Sequence, residues 1–478
     1  MRSKQKSVEK NAFLNIIKQC CNIIFPLLSY PYVTRILGEE SLGKFSFVDS
    51  IVSYFMILAT LGIPTYAVRE GARIRDDNDK IEQFSSEIFS INIITTLLSC
   101  FLMGGVILLQ PRLQQETVLF LILGINIITY TLSRDWINNV FEDFYYITIR
   151  YIVFQIISLV LIFATVHCSE DYIKYTFIMM ISNSGAYLSS IFYTMKKVRL
   201  KVTIKLNLKK HLKPILLLFC STLAIQIYVK SDITVLGYLR TNSEVGIYTA
   251  ASKVYTIIKA LLNAIIMVSI PRLSYYLGKK DYDSYNSLLK GLKECLITFI
   301  IPSIVGVFCM SKEIIILVGG EKYKSGSLPL SILCLAMIFA VMGCYYAQGI
   351  LIVNRDERTF TVATILSAIL NIVLNICLIP TLGMCGAAIT TVFAEVLICI
   401  ICGVKSLKYY DYKKPIVFFS VCIGSIGIIC ICFYMKRIIE NLLLRVILAI
   451  TISVIYYIAV IFIFKNPCVK TIIKFIKK

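Results

Sequence analysis

The chain reads as an all-α integral membrane protein of about fourteen transmembrane helices, forming two pseudo-symmetric six-helix bundles plus two C-terminal helices, with a central cationic cavity. Three observations lead there. Of 478 residues, 58% are hydrophobic and 16% charged, with a mean hydropathy of +0.78, a balance that water-soluble domains of this length do not normally show. Apolar runs of about 18 to 25 residues recur from end to end, each long enough to cross roughly 30 Å of hydrocarbon at 1.5 Å per residue. A lysine-rich segment at 196–213 separates six such runs from eight, and short motifs recur on both sides of it.

The first run, 11–37, follows the basic stretch MRSKQKSVEKNAF and contains polar positions with Pro26 and Pro31. It is too long and too polar for the core of a cleaved signal, so it is expected to be retained. Runs 41–66, 84–109, 117–136, 148–167 and 172–195 complete the first six. Runs 214–237, 243–271, 287–310, 327–353, 358–380 and 383–407 make the second six, and 415–435 with 441–464 the additional pair. None alternates apolar and polar residues as barrel strands of about 10 residues do, so helices are expected. The corresponding divisions are 1–213, a six-helix bundle with its basic linker; 214–407, the second bundle; and 408–478, two extra helices and a basic tail.

The net charge of +21 would suit nucleic acid, but the basic residues lie between apolar runs. With both termini inside, the cytoplasmic segments carry 33 of the 49 Lys and Arg, which is the orientation signal expected of a multi-pass protein. Nucleic acid is therefore not an expected partner. Most of the 17 cysteines fall within apolar runs. Cys399 and Cys402 form a CxxC with no His or second pair beside it, so a zinc site is not expected. With His167 and His211 read as loop residues, neither a histidine metal site nor a proton relay inside the membrane is expected, and no cofactor is called for.

A repeat runs across the basic segment. LGEESLGKFSFVDSI follows the first run and LRTNSEVGIYTAASKV the seventh, so that Gly43 matches Gly246, Phe45 matches Tyr248 and Ser46 matches Thr249. The second and eighth runs end in LGIPTYAVRE, with Pro64, and VSIPRLSYYLG, with Pro271. The paired runs cross in the same direction, so the halves are parallel repeats related by an axis along the membrane normal.

The stretch PYVTRILGEESLGKFSF followed by LGIPTYAVREGARIR resembles the O-antigen (Wzx-type) polysaccharide flippases of the multidrug/oligosaccharidyl-lipid/polysaccharide exporter superfamily. Pro31, Tyr32, Arg35, Leu37, Gly38, Gly43 and the pair Arg69 and Glu70 carry the likeness. It implies an alternating-access transporter, not an enzyme, that moves undecaprenyl-diphosphate-linked oligosaccharide from the inner to the outer leaflet of a bacterial cytoplasmic membrane. The lipid-linked glycan, the bilayer and polysaccharide polymerase machinery are the implied partners.

Independently of that likeness, an ionisable group at membrane depth is unfavourable by several kcal/mol unless it meets water or a partner. Ser252, Thr256, Lys259 and Asn263 recur at i, i+4, i+7 and i+11, one helical face, with Lys253 at its edge. Asn15, Lys18 and Asn22 do the same in the first run, and Asp49 lies in the second. Lys230 lies in the seventh run, with Asp232 about 200° around the helix. Lys18, Arg35, Lys230, Lys253 and Lys259 outnumber the acids, which suits a diphosphate rather than a drug cation. Asp49 and Asp232 are candidate gate residues. Glu395, with no basic neighbour in sequence, is either a structural protonated carboxyl or a coupling site, the former preferred. Lys18 and Arg35 have an alternative reading as interfacial anchors.

No G-x-x-x-x-G-K-[ST] motif for ATP is present. Rival readings are a lipid II flippase, a drug/cation antiporter and a membrane glycosyl polymerase. The outer loop SKEIIILVGGEKYKSGS is short and lacks His, which argues against the polymerase.

Overall fold

The computed structural model describes residues 8–204, 206–410 and 418–469. By compactness the chain divides into two units, Met1–Gly246 and Ile247–Lys478. The described residues of the first hold α1 (Val8–Thr60), α2 (Ile63–Ile74), α3 (Asn78–Leu109), α4 (Pro111–Gln114), α5 (Thr117–Ser133), α6 (Asp135–Val140), α7 (Phe144–Thr165), α8 (Tyr172–Met195) and α9 (Leu208–Leu239). The second holds α10 (Asn242–Gly278, begun in the first), α11 (Tyr282–Cys309), α12 (Ser311–Gly319) and α13 (Ser327–Cys344) with the π-helical turn Tyr345–Ile352. It ends with α14 (Glu357–Leu382), α15 (Met384–Ser406), α16 (Phe418–Ile438) and α17 (Leu442–Ile463).

The chain is an all-helical, multi-pass membrane protein. Eleven helices among the described residues are long and apolar enough to cross a bilayer, and Thr117–Ser133 is apolar but shorter. This measure does not reproduce the expected count of fourteen. Two expected spans, 11–37 and 41–66, count as one stretch because they are joined through the kink at Gly38, and Tyr172–Met195 falls outside the eleven, its apolar character diluted by polar residues such as Ser182, Ser184 and Ser190.

The expected break between the first two runs is not a loop. It is a single residue, Gly38 at φ 75° and ψ 175°, a backbone region that is essentially glycine-only. A Cβ there would touch nothing within 4 Å, so the restriction is conformational alone. Gly38→Ala should lower stability by about 1–3 kcal/mol, read as a fall in detergent melting temperature. Gly105→Ala, near the C-terminal end of α3 with equal space, should be neutral or stabilising.

The two proline motifs also differ in form. Pro64 sits in the first turn of the amphipathic α2, after Gly62, whereas Pro271 lies inside a continuous α10. At the first turn proline removes no helical hydrogen bond, whereas in mid-helix it removes one and leaves a bend.

Within the first unit, α2 packs on α3, α6 and α9 through Ile63, Tyr66, Ile88, Trp136, Val140 and Ile215. Deeper in the bilayer, polar side chains join the helices: Asn92 donates to the Ala59 carbonyl (2.8 Å), Thr129 meets Ser184 (2.8 Å) and Ser184 donates to Asn126 (2.8 Å). Such interhelical bonds supply attraction where lipid removes the hydrophobic drive for helix association. The second unit does the same. Within α14 Asn375 donates to Asn371 (3.0 Å), and Thr390 of α15 donates across to Asn375 (2.5 Å), all three side chains buried. Asn466, just beyond α17, donates to Thr298 of α11 (3.3 Å) and Ser420 of α16 (2.8 Å).

The matched glycines of the repeat meet inside the first unit. A Cβ on Gly43 would overlap the Asn242 carbonyl, and one on Gly246 would overlap the Glu39 carbonyl. Each glycine thus faces the backbone four residues before the other, a reciprocal contact that only the absence of side chains permits.

Candidate functional site

In the first unit, α9 brings Lys230 Nζ within 2.8 Å of Asp49 Oδ2 on α1. One turn further along α9, Thr234 donates to Ser50 (2.9 Å) and meets the Tyr54 hydroxyl (3.1 Å). A polar seam therefore runs between α1 and α9 inside the hydrocarbon span. The pair is partly open: the side chains of Lys230 and Asp49 are 26% and 43% exposed. Asp232 is buried on the opposite side of α9, as its angle around the helix requires.

The remaining candidates on α1 are arranged differently. Arg35 is exposed, and Lys18 lies 5.9 Å from the centre of the Tyr151 ring. Asn22 is exposed and donates to Gln19 (3.4 Å). The side chain of Asn15 lies outside the described residues.

In the second unit the acidic residue that lacked a basic neighbour in sequence has one in space. Lys259 Nζ of α10 lies 2.5 Å from Glu395 Oε1 of α15, and the Tyr255 hydroxyl donates to the same oxygen at 3.1 Å. Glu395 is buried, while the Lys259 side chain keeps 25% exposure. Ser252, Thr256 and Asn263 lie along the same stretch of α10 and none is buried, with Thr256 exposed. Thr256 returns its proton to the Ser252 carbonyl (2.7 Å), and Asn263 Oδ1 is buried with no hydrogen-bond partner. Lys253 is partly exposed beside that face.

Lys230 and Lys259 are thus held by carboxylates from neighbouring helices. In a low dielectric each pair is close to neutral as a unit, and each amine keeps a side open to an incoming acceptor.

Two polar clusters are not evident from the sequence. Arg150 donates to Asp135 at 2.9 Å, and Asn138 (3.0 Å) and Ser190 (3.2 Å) donate to the same carboxylate. Asp135, at the end of run 117–136, opens α6, and Arg150, near the start of run 148–167, lies nearly two turns into α7. His211, also read as a loop residue, is fully buried in α9. Its Nδ1 is 2.8 Å from the Tyr66 hydroxyl and its Nε2 2.9 Å from Glu87 Oε2. The apolar run that marks α9 begins only at 214, six residues after the helix starts at Leu208. Arg69 and Glu70 form an exposed cluster with Arg73 on α2, with contacts of 3.0 and 3.1 Å, the kind of surface arrangement that adds little stability.

A family model described as "Polysaccharide biosynthesis protein" matches residues 8–277. Among relatives, a "Putative O-antigen transporter" of Escherichia coli (strain K12) is 22% identical over 406 residues, covering 83% of this chain and 96% of that protein. A protein of the same description from Shigella dysenteriae is 25% identical over 404 residues, covering 82% and 98%. Among solved structures, "Lipid II flippase MurJ, inward closed conformation" superposes with a TM-score of 0.73 at 16% identity, covering 95% of this chain and 98% of that one. The fold is therefore of this transporter type.

Proposed function

The chain belongs to the polysaccharide biosynthesis protein family, and we propose that it is a flippase for a lipid-linked polysaccharide precursor. The names of its relatives support this reading. The finer reading places the chain in a bacterial cytoplasmic membrane with both termini inside, and gives it an undecaprenyl-diphosphate carrier moved by alternating access. The functional divisions are those of the repeat: 1–213, 214–407 and the appended 408–478.

The observation that carries the reading is the pair of half-open ion pairs. A lysine already held by a carboxylate at membrane depth needs no water to stay charged, and it can exchange that partner for a phosphate oxygen. Lys230 and Lys259 take this role, with Lys18, Arg35 and Lys253 as further donors to the diphosphate. Asn15, Asn22, Ser252, Thr256 and Asn263 contribute polar lining. Asp49 and Glu395 are the carboxylates released on exchange, and Asp232 steadies the far side of α9. Two uncompensated negative charges moving outward through 100 mV would gain about 4.6 kcal/mol.

The test is headgroup translocation in proteoliposomes, offering in parallel a lipid-linked oligosaccharide, lipid II and a cationic dye. Movement of the oligosaccharide lipid is expected. Preference for lipid II would replace the substrate, and movement of the dye alone would overturn the polyprenyl reading. The likeness to a lipid II flippase concerns the fold, whereas family and relatives favour the polysaccharide precursor.

A further inference from the structure

We propose that the extended segment 198–204 and the first turns of α9 form an interfacial anchor that seats on anionic phospholipid headgroups. The segment is strapped along α3. The backbone N–H groups of Arg199, Lys201 and Thr203 donate to Glu82 (3.4 Å), Ser86 (3.1 Å) and Ser90 (2.9 Å). Alternate residues of an extended chain advance about 6.7 Å and four residues of a helix 6.0 Å, so every second N–H meets a side chain one turn further along α3.

That ladder fixes which way the side chains point. Val198 and Leu200 pack into the core around Tyr66 and Trp136. Val202 and Ile204, two and four residues beyond Leu200, are 70% and 97% exposed, before Leu206 packs back against the same core. The opposite face carries Arg199 and Lys201, both exposed. A fixed segment with an uncovered aliphatic face and a cationic face is matched by a bilayer surface, which offers acyl chains and phosphates side by side.

The adjoining helix gives the same answer. Leu208, Leu212 and Leu216 form an exposed stripe at i, i+4 and i+8, flanked by the exposed Lys209, Lys210 and Lys213. At 32 residues α9 is about 48 Å long, well beyond a core of roughly 30 Å, so its first turns stand among headgroups. Between 196 and 213 the sequence has eight Lys and Arg and no Asp or Glu. Of the nearby acids, Glu82 accepts from the strap and Glu87 is engaged by His211. The net sign calls for an anionic lipid, and the role is independent of what is transported.

The test uses the full chain as Ile204→Trp in nanodiscs. The single native tryptophan, Trp136, is buried and gives a constant background. Brominated phosphatidylglycerol is expected to quench the new emission at least about twofold more than equimolar brominated phosphatidylcholine, the local enrichment that electrostatic attraction implies. Lys201→Gln/Lys209→Gln/Lys210→Gln/Lys213→Gln should remove that preference, and Lys279→Gln/Lys280→Gln should not. If the fourfold variant fails to assemble, about 1 M salt acting on the unaltered lysines should remove it instead. Equal quenching by both lipids, quenching by neither, preference surviving loss of the four lysines or high salt, or equal loss in the control variant would each overturn the proposal.

Discussion

Lys259→Ala is expected to lower flipping of a lipid-linked oligosaccharide about tenfold to a hundredfold. The estimate takes one charge-assisted hydrogen bond to phosphate as about 1.5–3 kcal/mol. Loss of the amine also leaves the Glu395 carboxylate buried without its cation, accepting from the Tyr255 hydroxyl, which destabilises the protein. The single variant therefore confounds transport with folding. Lys259→Met/Glu395→Met separates them, because replacing a buried ion pair by apolar side chains of similar volume is often neutral or stabilising. Abundance and melting temperature should recover in the double variant while flipping stays low. If flipping recovers too, the pair is structural and has no part in binding the headgroup. Glu395→Gln is expected to act in the opposite sense, freeing Lys259 to hold its ligand longer, so that substrate retention rises while turnover falls.

The second large effect is expected at the reciprocal glycines. Gly43→Ala or Gly246→Ala sets a methyl group against a backbone carbonyl, and a carbonyl cannot rotate aside as a flexible side chain can. The helix segments must separate, at a cost typical of overpacking, about 1–3 kcal/mol. Transport is expected to fall severalfold or more in each variant. Both substitutions relieve themselves by the same separation, so the double variant should cost less than the sum of the two. Melting temperature and translocation measured on all three variants check this. Strict additivity would mean that the two contacts are independent.

What the sequence made legible was periodicity, and what it hid was partnership at a distance. The apolar runs placed the helices, and the 200° between Lys230 and Asp232 puts them on different sides of α9, where one side chain is partly exposed and the other buried. Glu395 looked solitary because its lysine lies 136 residues earlier, on a helix whose own pattern says nothing of its neighbour. Asp49 and Lys230 are similarly remote. Short or amphipathic elements were also lost: α2 and α6 lack a spanning run of their own, and His211, read as a loop residue because it precedes the run 214–237, is packed inside α9. Gly43 and Gly246 were visible as repeat markers. Their mutual contact was not, because a steric need for the absence of a side chain leaves no trace in composition.

The Asn371, Asn375 and Thr390 bonds bear on how the protein is made. Alone, α14 would present two carboxamides to lipid, and each unsatisfied polar group there is unfavourable by several kcal/mol. The bond from Asn375 to Asn371 lies within α14, and α15 brings the Thr390 hydroxyl to Asn375 across a connection at Gly383. The insertion machinery should therefore release the two segments into the bilayer together as a hairpin. A nascent chain stopped after α14 should linger at the translocation channel until α15 emerges.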